Sequence, residues 1–113
     1  MAQNSQSPQL PKGLTQEAYN ALKEEHGQLV HIKVSHEDGR TLVMIGKPKL
    51  SNKAFGQAFQ ASLNDFCKAS AIMVNDLWLA GDKEIKDEMP CLTAAGMQLA
   101  KLLNQAEAEL VFL

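Results

Sequence analysis

The sequence predicts a small α+β domain in which one antiparallel β-hairpin packs against three to four helices. Val30, Ile32 and Val34 alternate with His31, Lys33 and Ser35, and Thr41, Val43 and Ile45 alternate after Asp38-Gly39. That is the period of two half-buried strands joined by a tight turn. The flanking segments place apolar residues three and four apart, as amphipathic helices do. The chain has 113 residues, 45% hydrophobic and 21% charged, which suits one folded domain.

Residues 1–13 are polar and rich in Gln, Ser and Pro, and read as a flexible N-terminal arm that a partner orders; residues 14–113 form the domain. Thr15 caps a first helix by accepting from an early backbone N–H. Leu14 and Tyr19 have the spacing of a hydrophobic staple, and Gly27 ends the helix. In the hairpin, a type I′ turn at Asp38-Gly39 sets Val34 opposite Val43, Ile32 opposite Ile45 and Glu37 opposite Arg40. Pro48 ends the second strand, because proline cannot donate to a ladder. Ser51 caps a second helix expected over residues 52 to about 68, with Phe55, Phe59, Leu63 and Phe66 as its apolar face.

Ala71-Ile72-Met73-Val74 and Leu77-Trp78-Leu79-Ala80 are runs too short for periodicity to separate helix from strand; a short helix ended by Gly81 is favoured. Residues 82–88 are a solvated charged turn or short helix. Pro90 suits the start of a last helix. Its Leu92, Ala95, Leu99, Leu102, Ala106 and Leu110 extend that helix over about five turns. The chain closes with Leu110-Val111-Phe112-Leu113, four apolar residues that dock either on the core or on another chain.

Composition narrows the function. The net charge is −2, with 11 basic against 13 acidic side chains, so the surplus of Lys and Arg that a nucleic-acid binder uses against phosphates is missing. The first residues lack the apolar stretch of a signal peptide, and no apolar run is long enough for a membrane. Cytoplasm is the expected location, with Cys67 and Cys91 reduced and acting as inert core thiols. His31 and His36 are an odd number of residues apart, so they face opposite ways on a strand, and with His26 they read as surface histidines rather than metal ligands. Gly39 and Gly46-Lys47 fail as a phosphate loop, because the spacing is wrong and Pro48 stands where a hydroxyl residue is needed. Lys47, Lys49 and Lys53 read as a solvated turn ahead of an anion contact. No catalytic, cofactor-binding or metal-binding residue is therefore assigned.

The order of elements, with the Gly27–Ile45 hairpin, Lys47-Pro48 after it, and Trp78-Leu79-Ala80-Gly81-Asp82-Lys83-Glu84-Ile85, resembles small tail assembly chaperone-like proteins of tailed bacteriophages and prophages. The last stretch is similar to a W-L-G-G-D-x-x-I pattern, with Ala80 in place of the first Gly and Leu77 where Cys often precedes the Trp. The resemblance covers roughly residues 14–110. It implies a non-enzymatic helper, without cofactor, that binds a helical partner such as the tape-measure protein or tail subunits in the host cytoplasm. The alternative is a small structural component of a phage virion or contractile injection particle, and self-association into a homo-oligomer stays open. Partner-binding candidates are Trp78, Leu99, Leu102, Leu103, Leu110 and Phe112, whose large apolar side chains suit a helix-in-groove contact.

Overall fold

Helix α1 (Gln16–His26) starts where the Thr15 hydroxyl accepts the Ala18 N–H at 3.1 Å, and it stops at Gly27, whose φ of 79° no helix continues. The structure, a computed structural model, describes residues 10–104 and 108–113. Most of the expected N-terminal arm, residues 1–9, lies outside the described residues. Of the rest, Leu10 packs against the domain and the Lys12 N–H donates to Asp82 Oδ1 at 3.2 Å.

Strands β1 (Val30–Ser35) and β2 (Thr41–Gly46) form the expected antiparallel hairpin, but in a register displaced by one residue. Val34 pairs with Leu42 rather than Val43, and Ile32 with Met44 rather than Ile45. The cause is the turn. The His36 N–H donates to the Arg40 carbonyl at 2.8 Å, and the Gly39 N–H to the His36 carbonyl at 2.9 Å. The loop is thus Glu37-Asp38-Gly39, a three-residue turn closed by Gly39 in the left-handed region at φ 95°. Such three-residue loops compete with the two-residue type I′ turn, and glycine at the third position suits the bulge they need. Glu37 therefore does not face Arg40; His36 does.

A one-residue shift turns every side chain of β2 to the opposite face. It is tolerated because both faces are covered. Ile32, Val34, Leu42 and Met44 pack with Met73, Val74, Leu77, Ile85, Leu92 and Leu99 in the main core. Val43 and Ile45 lie on the other face with Tyr19 of α1, backed by Leu10, Leu14 and Leu29. The sheet is the middle layer, with α1 on one side and the later helices on the other.

The second helix is shorter than expected. Helix α2 (Asn52–Ser62) is followed by α3 (Phe66–Leu77), because the Asp65 carboxylate accepts the Lys68 N–H at 3.2 Å and so caps a new helix. Phe66 belongs to α3.

Residues 78–80, favoured above as helix, are instead strand: β3 (Trp78–Gly81) pairs antiparallel with β2, giving a three-stranded sheet in the order β1-β2-β3. The Lys47 N–H donates to the Leu77 carbonyl at 2.8 Å, and the Asp82 N–H to the Val43 carbonyl at 2.9 Å, so bonds at both ends hold the strand to its neighbour. Pairing across the chain decided a run whose local pattern was ambiguous. The Trp78 ring lies over Gly81, with Lys86 Nζ 4.4 Å from its centroid.

Helix α4 (Glu84–Asp87) is one turn within the charged segment, anchored by the buried Ile85. Helix α5 (Met89–Leu99), with Pro90 in its first turn, buries Cys91, Leu92, Ala95, Gly96 and Leu99 and tightens into a 3-10 stretch over Ala100–Asn104. The expected five-turn helix is therefore cut short: Ala106 lies outside the described residues, and residues 108–113 adopt no regular structure. Helical stability in proteins comes mainly from packing an apolar face. Among the described residues, Leu103 is the last of the helix's expected leucines packed on the core.

Candidate functional site

Helix α2 turns its small residues inward. Ala54 and Ala58 are buried and Ala61 packs partly on the core, which lets α2 approach α3 closely. The large residues stand on another flank: Phe55 is 38% exposed, Phe59 48% and Leu63 71%. At i, i+4 and i+8 they form one stripe. The Phe55 and Phe59 rings stack with centroids 6.4 Å apart and planes 10° from parallel. The periodicity that marked these residues as a face was sound, but that face is open and the alanine face is the buried one. Single exposed apolar residues are ordinary; three in a row along one helix are a candidate contact surface.

The six residues singled out from the sequence divide into three groups. Leu99 is 1% exposed and belongs to the core, so it offers nothing to a partner. Trp78, Leu102 and Leu103 are half-buried against that core. Leu110 and Phe112 are exposed, together with Val111 and Leu113, on the irregular closing segment. The structure does not gather the six into one groove. Phe55, Phe59 and Leu63 were missed as contact residues because periodicity shows that a face exists and not which way it points.

A second constellation joins the hairpin loop to the start of α5. His36 Nε2 lies 2.8 Å from Glu88 Oε1 and His36 Nδ1 lies 2.9 Å from Asp38 Oδ1, with the ring only 11% exposed. Arg40 in turn bonds Asp38 and, at 2.9 Å, Glu84 Oε2. The hydrogen bond to Glu88 raises the His36 pKa against partial burial, and the Asp38 charge adds to the rise. The Arg40 backbone N–H, followed by its side chain, holds the Asp38 carboxyl below its ordinary value. Cys91 is buried beside them, and burial, reinforced by Glu88 and Glu84, pushes its thiol upward. A cleft of about 210 Å³ opens here, lined by Val34, Glu37, Pro90 and Ala94 as well as His36, Glu88 and Cys91.

His36, read from the sequence as a surface histidine, is thus largely enclosed and doubly bonded. The local signal in the sequence is Glu88-x-x-Cys91, which puts both side chains on one face at the head of a helix. His36 is 52 residues away from Glu88, and only the fold supplies it. The remaining histidines do not join this cluster: His31 Nε2 bonds the Tyr19 hydroxyl at 2.9 Å, and His26 lies beside Glu25. Cys67 is half-buried on α3.

Among the described residues no helix is long and apolar enough to cross a membrane. The chain matches no family model, no curated protein and no solved structure.

Proposed function

We propose that this protein is a non-enzymatic binding partner for an apolar helix, acting as a tail assembly chaperone or adaptor of a tailed phage in the host cytoplasm. Its client is a long helical protein such as the tape-measure protein, whose apolar stripes it covers before tail subunits polymerise around it. The observation that supports this most is the open stripe of Phe55 and Phe59 on α2, continued by Leu63 at its C-cap. An amphipathic client helix places its own anchors at the same three- and four-residue spacing, so the two helices can pack ridge into groove. The family resemblance supplies the class of client.

The test is co-expression with a tape-measure protein of a tailed phage. Higher client solubility and co-purification are expected, and both are lost when Phe59 and Leu63 are changed to Gln. A client whose solubility is the same with and without this protein refutes the proposal. A second reading, a structural component of a virion or injection particle, draws on the exposed Leu110-Val111-Phe112-Leu113 segment, which neighbouring subunits would cover. Mass spectrometry of purified particles separates the two, since a chaperone leaves and a component stays.

A further inference from the structure

His36 closes the hairpin loop, Glu88 immediately precedes α5, and Cys91 lies in its first turn. His36 Nε2 or Nδ1, a Glu88 carboxylate oxygen and Cys91 Sγ lie within 4.8 Å of one another. Imidazole nitrogen, carboxylate oxygen and thiolate sulfur are together the donor set of zinc and its neighbours, whereas magnesium and calcium take oxygen alone. We propose that His36, Glu88 and Cys91 bind one divalent transition-metal ion of the zinc class, with a remaining coordination position on the side of the adjacent cleft.

Two further observations point the same way. Glu88 stands at the N-cap of α5, yet its side chain makes no capping hydrogen bond; its carboxylate is turned to His36 instead. Asp38 holds the ring from behind, with its backbone N–H 3.1 Å and its Oδ1 2.9 Å from His36 Nδ1, so that Nε2 is the nitrogen turned toward Glu88. Bonds of about 2.0 Å to nitrogen and oxygen and about 2.3 Å to sulfur, at tetrahedral angles, separate ligand atoms by roughly 3.3–3.6 Å. The 2.8 Å His36–Glu88 contact would open slightly and Cys91 would draw inward, both within the reach of side-chain rotation. Binding releases the Cys91 thiol proton, and any proton on Nε2, to solvent. The thiolate and carboxylate then balance the charge of the ion. Such a clip would tie the hairpin loop to α5, and it is independent of the α2 surface proposed to bind a client.

The test titrates the full-length reduced protein with Co²⁺ and then Zn²⁺. About one equivalent of Co²⁺ is expected to give visible d–d bands and a thiolate-to-cobalt charge-transfer band in the near ultraviolet, which Zn²⁺ removes. His36→Gln and Glu88→Gln should each weaken Zn²⁺ binding at least about tenfold, and Asp38→Asn about tenfold, as outer-shell partners do. Cys91→Ser should abolish the charge-transfer band, while His26→Gln and Cys67→Ser leave it intact. The Gln variants keep the test decisive if the buried Cys91 tolerates no change. Absence of the stoichiometric charge-transfer band overturns the proposal. So does Zn²⁺ affinity that His36→Gln and Glu88→Gln leave unchanged; the cluster is then an ion pair beside an inert thiol.

Discussion

The Asp82 carboxylate accepts the Val43 backbone N–H at 2.8 Å through Oδ2, and its other oxygen accepts the Lys12 N–H at 3.2 Å. Asp82 follows the last residue of β3, so its side chain continues the ladder where the strand's own backbone stops. Asp82→Ala leaves the Val43 N–H without this partner at a largely covered site and should cost about 1–3 kcal/mol. Asp82→Asn keeps a carbonyl acceptor and should cost less. Urea denaturation of the two variants checks the order, and equal losses would remove the hydrogen bond as the cause.

Helices α3 and α5 cross at Ser70 and Gly96, where a Cβ on Gly96 would lie 1.9 Å from Ser70 Oγ and 2.4 Å from Ser70 Cβ. Ser70 is fully buried, and its hydroxyl donates to the Phe66 carbonyl at 2.9 Å, so it has no free direction in which to yield. Gly96→Ala should therefore destabilise by about 1–3 kcal/mol or more, although alanine is the better helix former. Adding Ser70→Gly should recover part of the loss. Thermal melts of the single and double variants decide this, and a Gly96→Ala protein as stable as the parent would exclude the close crossing.

Phe59 and Leu63 carry exposed apolar surface that folding leaves uncovered. Changing both to Gln should alter stability by no more than about 0.5 kcal/mol each, as surface substitutions usually do. The same change should reduce binding of an apolar dye and abolish client capture. A loss of several kcal/mol would place these side chains in the fold rather than at a contact.

Burial lowers the His31 pKa from its ordinary value of 6.5, and the Lys23 and Lys33 charges add to the effect. The folded state thus favours the neutral ring that bonds the Tyr19 hydroxyl. The stability this contributes is complete above pH 6.5 and declines as the pH falls toward the folded-state value, where the unfolded chain binds the proton more readily. Between about pH 7.5 and 5, the parent should lose more stability than His31→Gln. Parallel slopes of melting temperature against pH would contradict this.

Local chemistry was legible wherever one residue and its near neighbours settle an outcome. Thr15 and Ser51 cap the helices expected of them, Gly27 ends the first, and the alternation from Val30 onward is a strand. These depend on side chains reaching backbone groups within one turn, or on a period that burial of one face enforces. Three outcomes needed the whole fold. The shift that pairs Val34 with Leu42 is set by the Glu37-Asp38-Gly39 loop, but it is tolerated only because elements from elsewhere in the chain cover both faces of β2. Trp78–Gly81 is a strand because β2 offers an edge for it to pair with. The joining of His36 to Glu88 and Cys91 spans distant segments. Side-chain pattern determines how a segment is shaped and that it has an apolar face; which face is buried, and which polar groups meet, is set by the neighbours that chain topology brings to it.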